Sequence, residues 1–143
     1  MLDDPHQVVV RALDALAADL ADGDVVAAAE HFVAWGSIWG DELREEALGS
    51  AEVAAYLTHV VRGPHTLRWD VEQSWACRRA SQVWFVADAD VVLRPRGTDG
   101  PSERRAARVS GVLVADGGRW RFELFAGFQA AVLPPLRLVG VSP

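Results

Sequence analysis

The sequence predicts an α+β domain in which three N-terminal helices pack on one face of a curved, mostly antiparallel sheet. Two observations carry that expectation. Apolar residues in the first third recur at helical spacing, whereas from Leu67 onward they alternate with period two. Between these regimes, Trp39-Gly40-Asp41 through Gly49-Ser50-Ala51-Glu52-Val53 reads as a strand end, a short acidic loop and a capped amphipathic helix. Apolar helix stripes and apolar strand faces both need covering, and a sheet wrapped over helices covers both.

Each element has a local reason. From Asp4 to Leu20, the residues Val9, Leu13, Leu16, Ala17 and Leu20 form one apolar stripe, with Asp4 as N-cap and Pro5 in the favoured first position. Asp22-Gly23-Asp24 ends that helix, and Asp24 caps a second one running from Val25 to Phe32. Trp35 to Trp39 reads as a short strand. Ser50 is the predicted cap of a third helix, Ala51 to Val61, with Val53, Leu57 and Val60 on one face, Tyr56 beside them and Gly63-Pro64 as the stop.

Leu67, Trp69, Val71, Gln73 and Trp75 are predicted to share one face of the next strand, and Arg68, Asp70, Glu72 and Ser74 the other. Val83 to Leu93 is apolar on both faces until Asp88 and Asp90 interrupt it. Arg94 to Ser102, with two Gly and two Pro, forms a long hairpin connection. Strands from Arg105 to Ala115 and from Arg119 to Ala130 meet at Asp116-Gly117-Gly118, a strong turn signal. Pro134-Pro135 cannot continue a ladder, so the domain is expected over 1–133 and a tail over 134–143. Leu136, Leu138, Val139 and Val141 are too apolar for a free end, and the tail is expected to fold back as a marginal lid.

A chain of 143 residues is one ordinary domain, long enough to bury a full core. Half the residues are hydrophobic and 24% charged, which marks a globular rather than a disordered chain. No apolar run approaches the ~18 residues that span a membrane. The Leu2-Asp3-Asp4 start shows no secretory signal. Cys77 is the single cysteine, so no internal disulfide forms and a cytoplasmic setting is expected. Residues 1–60 carry 12 acids against Arg11 and Arg44, whereas residues 61–143 carry 8 acids against 12 arginines. The two halves attract each other within one domain, and the net charge of −6 disfavours nucleic acid as a partner. Arg104-Arg105 with Arg108 is the one basic cluster, and it reads as a solvated strand end.

Three segments carry a family resemblance. Leu20-Ala21-Asp22-Gly23-Asp24, then Ile38-Trp39-Gly40-Asp41 with Leu48-Gly49-Ser50-Ala51-Glu52-Val53, then Asp116-Gly117-Gly118-Arg119-Trp120-Arg121-Phe122 stand in a telling order. Their order and spacing resemble the SnoaL-like domains of the nuclear transport factor 2-like superfamily, from about Ala12 to Ala130. None is a catalytic signature, and fold alone does not assign function. The resemblance implies a cone-shaped half-barrel with a pocket between sheet and helices, often homodimeric through the sheet's outer face. Relatives include ketosteroid isomerases, polyketide cyclases, dehydratases and non-catalytic association domains. The isomerases use an Asp at the strand end before the third helix, close to Asp41 here. Their Tyr on the first helix and acid on the penultimate strand correspond to Leu16 and Ser110, so that catalytic set is incomplete.

The candidate site residues follow from these readings. Asp41 is a candidate general base if an apolar pocket desolvates it, against the alternative of a solvated loop acid beside Glu42. His31 is a candidate acid/base partner at the pocket mouth, although a histidine at a helix C-terminus explains it equally well. Asp88 and Asp90 favour pairing with arginines of a neighbouring strand over a carboxylate pair in a cavity. Trp39, Trp69, Trp84, Trp120 and Tyr56 are the candidate ligand-binding residues, with core or dimer-interface packing as the alternative for each tryptophan. His59 and His65 lack metal-ligand spacing, so neither a metal nor a cofactor is expected. Two functions from different classes stand open. One is a domain binding a small apolar molecule, with isomerase-, cyclase- or dehydratase-like proton transfer; the other is a non-catalytic homodimeric association module.

Overall fold

The computed structural model describes residues 4–128, which form three helices and one six-stranded sheet. The elements run α1 (Pro5–Ala21), α2 (Val25–Ala29), β1 (Phe32–Gly40), β2 (Glu46–Leu48), α3 (Ser50–Val61), β3 (His65–Arg79), β4 (Gln82–Pro95), β5 (Glu103–Asp116) and β6 (Arg119–Phe128). The helices cover one face of a mostly antiparallel sheet, as the sequence predicts. The sheet order is β2-β1-β6-β5-β4-β3, and only β1 and β6 run parallel. A parallel pair needs a long crossover, and here the whole β3–β5 meander supplies it. The predicted strand end at Ala130, the Pro134-Pro135 stop and the tail lie outside the described residues. No helix among the described residues is long and apolar enough to cross a membrane.

Two of the three predicted caps form. The Asp4 carboxylate accepts from the His6 amide at 3.1 Å, and that of Asp24 accepts from the Ala27 amide at 3.0 Å. The third is a correction: Gly49, not Ser50, is the cap of α3, and no side chain bonds there. The chain turns from β2 into α3 through φ 86° at Gly49, a left-handed angle that favours glycine. Glu52 of the first turn reaches back instead and accepts from the Leu48 amide at 2.9 Å. The second helix ends at Ala29, three residues earlier than predicted. The Phe122 amide donates to the His31 carbonyl at 2.7 Å, which draws the chain into the sheet. Within the segment read as an acidic loop, Glu46–Leu48 pairs with Ser37–Trp39 as an edge strand, with Ala47 opposite Ile38. Its flanking acids mask a period that only one buried residue reveals.

The faces of the sheet are set by two register breaks. Leu67, Trp69 and Val71 face the helices as predicted, but a bulge between Val71 and Gln73 shifts the alternation. Gln73 and Trp75 therefore sit on the outer face, and Trp75 is 63% exposed. The second break, between Val112 and Leu113, lets Phe122 and Phe125 both reach the inner face. Gly111 permits this. A Cβ there would stand 2.1 Å from the Leu124 carbonyl oxygen, so any side chain would push β6 away.

Inside, the core is an aromatic chain. Phe32 stacks on Phe122 at 5.3 Å, Phe122 on Phe125 at 5.1 Å and Phe125 on Phe128 at 5.1 Å. Trp69 closes against Phe125 and Phe128, each at 5.4 Å. Leu13, Leu16 and Leu20 of α1 and Leu57 of α3 pack over this chain with no exposed surface beyond 1%. Burying each such side chain stabilises the fold by roughly 1.5–3 kcal/mol before conformational entropy is subtracted.

Candidate functional site

Polar chemistry gathers at the two ends of β1. At its C-terminal end the chain doubles back through residues 41–45, and the Gly40 amide donates to the Glu45 carbonyl at 2.6 Å. A Cβ at position 40 would lie 2.5 Å from the Glu45 Cβ, so a glycine is needed for this closure. Arg44 takes the left-handed angle, φ 73°, that completes the turn. The Glu45 carboxylate accepts from the Glu42 amide at 3.0 Å, with the Asp41 and Glu42 carboxyls close by in the same turn. Partial burial pushes Glu45 above its ordinary value. The bond from the Glu42 backbone opposes this, while the neighbouring Asp41 and Glu42 side chains add to it. Glu45 is thus the carboxyl of this turn whose protonated form the fold favours.

Tyr56 projects from α3 toward the same carboxyls. Its hydroxyl oxygen is buried with no hydrogen-bond partner among the described residues. Its ring meets Phe128 edge-on at 5.4 Å. Burial, followed by the Glu45 and Asp41 charges, pushes its ionisation far above the usual tyrosine range. Tyr56 is therefore a fixed neutral donor beside the Asp41 and Glu45 carboxyls. Across Phe128, the Trp69 indole N–H is also buried without a partner among the described residues. A buried donor left unpaired costs about 1–3 kcal/mol, so a pair of them at one end of the fold asks for an explanation.

The structure divides the other predicted site residues. Trp39 and Trp84 stand on the outer face, donating to the Ser37 hydroxyl and the Gln82 side-chain oxygen, each at 3.0 Å. Trp39 cannot share the interior with Ile38, because adjacent strand residues point to opposite faces. Trp120 lies at the far end, under the Arg78 guanidinium at 5.3 Å. The candidate ligand-binding residues Trp39, Trp69 and Trp120 thus do not line one cavity beside Asp41. Only Trp69 and Tyr56 flank the Asp41 end, and phenylalanines fill the space between them. Leu16 is fully buried in the core, and Ser110 pairs with Val86 and Ala126 on the outer face. Neither could replace the missing isomerase donors.

His31 sits at the opposite end of β1, about 20 Å from the Asp41 end by the rise of the paired β6 residues Phe122 to Phe128. The two predicted catalytic residues therefore do not converge. His31 is 9% exposed, with Nε2 2.6 Å from an Asp19 carboxylate oxygen and Nδ1 3.1 Å from an Arg119 guanidinium nitrogen. A guanidinium only donates, so Nδ1 is the acceptor and Nε2 carries the proton to Asp19. Glu45 was not singled out by the sequence, where it is one of three neighbouring glutamates. The only hint was a glycine at the strand end just ahead of them. Asp88 and Asp90 pair outward as expected, with Arg108 at 2.6 Å and Arg104 at 3.3 Å. Among the described residues, no group of three metal-ligating side chains comes together.

Comparison with known proteins matches this architecture. The description "SnoaL-like domain" matches residues 9–124, and the chain belongs to that family. No curated protein sequence matches it significantly. A proposed scytalone dehydratase from Novosphingobium aromaticivorans superposes with a TM-score of 0.70 at 12% identity, over 84% of this chain and 80% of that one. A proposed dehydratase of the nuclear transport factor 2-like family from Streptomyces avermitilis gives 0.68 at 10% identity, over 84% and 91%. ActVI-ORFA from Streptomyces coelicolor gives 0.68 at 14% identity, over 84% and 92%. At these identities the likeness is one of fold.

Proposed function

We propose that the chain binds a small, largely apolar carbonyl compound at the Asp41 end and moves a proton on it. One observation carries the reading: the buried Tyr56 hydroxyl, without a partner among the described residues, beside the Asp41 and Glu45 carboxyls. In the proposed step, the Asp41 carboxylate takes a proton from the carbon next to the carbonyl. The C–H electron pair moves to form an enolate, and the Tyr56 O–H donates to the developing oxyanion. Glu45 returns a proton to the enolate and is reprotonated from Asp41. Trp69 and Phe128 supply the apolar wall, and the reaction class is that of an isomerase, cyclase or dehydratase. The single cysteine supports a cytoplasmic location.

The test is hydrogen–deuterium exchange at the α-carbon of β-tetralone, a flat ketone, followed by proton NMR in deuterated buffer. The wild type should accelerate exchange above buffer, and Asp41→Asn and Tyr56→Phe should each remove most of that gain. No acceleration by a folded wild type, or full activity in both variants, would reject the proton-transfer reading.

A second reading rests on a different observation. Trp35, Trp75 and Trp84 are 64%, 63% and 47% exposed on the helix-free face, with Val86 among them. So large an apolar area on one sheet face supports homodimerisation through it. The module could associate this way whether or not the other end is catalytic.

A further inference from the structure

The His31 end holds a cleft that the proposed reaction does not use. Its volume is about 220 Å³, and it is lined by Val8, Arg11, Ala12, Ala15, His31, Arg119 and Trp120. We propose that this cleft is a binding site for a small carboxylate with a flat apolar body, distinct from the Asp41 end. Ala12, Ala15 and Val8 of α1 form an apolar floor and Trp120 a flat wall. Arg11 and Arg119 place two cations on the lining of a chain whose net charge is −6. Arg78, over the Trp120 ring, puts a third nearby. Asp19 is bonded into the lining, and it is engaged by His31 on the side away from Arg119.

His31 explains why Arg119 points where it does. Arg119 begins a strand after a Gly-Gly turn and is exposed, so nothing in its backbone fixes its long side chain. The buried imidazole, locked into one tautomer by Asp19, offers Nδ1 as a fixed acceptor for one guanidinium N–H. A guanidinium has five N–H donors, and this bond uses one. The remaining fork geometry suits a carboxylate, which guanidinium groups bind through paired hydrogen bonds. His31 is thus a positioning residue for Arg119 rather than an acid or base. The volume lies below the ~300–1,000 Å³ of drug-sized sites, which limits the ligand to about one ring.

The experiment uses the whole chain with benzoate as probe and benzamide as its neutral counterpart. Binding is followed by the indole N–H resonance of Trp120, assigned through Trp120→Phe. Benzoate should shift that resonance saturably, and benzamide should bind at least about ten-fold more weakly. Arg119→Gln should weaken benzoate by about ten-fold, and Arg11→Gln by a smaller factor. His31→Gln, which keeps an acceptor for Arg119, should retain binding, whereas His31→Leu should lose it at matched folding by thermal melt. Tyr56→Phe should leave benzoate binding unchanged, which separates this site from the Asp41 end. Arg11 is exposed, so its variant tests the proposal even where changes at Arg119 or His31 disturb the fold. Equal affinity for benzoate and benzamide, or benzoate affinity unchanged in both arginine variants, would overturn the proposal.

Discussion

The inner and outer faces of the sheet are both rich in aromatic side chains, yet they solve different problems. Inside, Phe32, Phe122, Phe125, Phe128 and Trp69 contact one another ring to ring and retain at most 4% of their exposure. Outside, Trp35, Trp39, Trp75 and Trp84 lie on solvent, and the first, second and fourth satisfy their indole N–H groups with polar neighbours. Beyond the tryptophans, the outer face passes into an ionic lattice in which Arg104 joins Asp70 and Asp90 and Arg108 joins Asp88. The phenylalanine face is closed by helices, and the tryptophan face is finished with hydrogen-bonding groups. The difference teaches that residue type records which surface must be dry and which must meet another polar or protein surface.

The sharpest way to break this comparison is to truncate one ring on each face. Trp69→Ala should cost about 3–5 kcal/mol in chemical denaturation, because the phenylalanines around it cannot collapse into the space. Trp75→Ala should change the stability of an isolated chain by no more than about 0.5 kcal/mol, as a surface substitution does. If the two variants unfold at similar denaturant concentrations, the faces are not energetically distinct.

The next largest effect belongs to association. If the outer face joins two copies, Trp75→Glu and Trp84→Glu should each weaken the dimer by at least about 2 kcal/mol, roughly thirty-fold in Kd. The secondary structure should remain as it was. Sedimentation velocity over a range of concentrations measures this directly. A wild type that stays monomeric at tens of micromolar would remove the association reading and leave the outer tryptophans as a solvated surface.

Most of this architecture was legible in the sequence, because hydrophobic period survives in almost every element. Leu13, Leu16 and Leu20 repeat at helical spacing, and Leu67, Trp69 and Val71 alternate, so both faces announce themselves. The failures have one physical origin. A bulge leaves no composition signal of its own, so Trp75 was assigned to the wrong face by a single inserted residue. Trp39 is expected at the pocket because the resemblance puts its strand segment there, although the adjacent Ile38 holds the interior position. The site was less legible. Asp41 was visible from its place at a strand end, but Glu45 becomes its partner only through a turn that depends on Gly40. His31 was visible as chemistry, yet only the length of β1 reveals that it cannot meet Asp41.

A smaller effect separates the two buried donors from the packed aromatics around them. Tyr56→Phe removes a hydroxyl that lacks a partner among the described residues and leaves the ring against Phe128. Stability should therefore stay level or rise by about 1 kcal/mol, since the cost of burying an unmet polar group disappears. The same variant should lose ketone exchange. That opposite movement of stability and activity marks a group kept for function. A clear fall in melting temperature would mean that Tyr56 is bonded in the folded chain and serves structure.

The smallest expected effect is a pH dependence at Glu45. The folded state raises its value above the ordinary 4.5, so the folded state holds the proton more tightly than the unfolded chain does. The stability this contributes is fully present below about pH 4.5 and is lost as pH rises through the higher folded value. Glu45→Gln keeps the pattern of the protonated acid: its amide oxygen still accepts from the Glu42 amide and it places no charge beside Asp41. The variant therefore escapes that loss. Its melting temperature should match the wild type near pH 4 and exceed it by a growing margin toward neutral pH. Glu45 is only partly buried, so solvent screening keeps this margin to about 1–2 °C. Ketone exchange should fall in the same variant, because an amide returns no proton to an enolate. A melting difference that stays flat from pH 4 to pH 7 would show that the Glu45 proton is not held in the folded chain, and the proton-transfer reading would lose its acid.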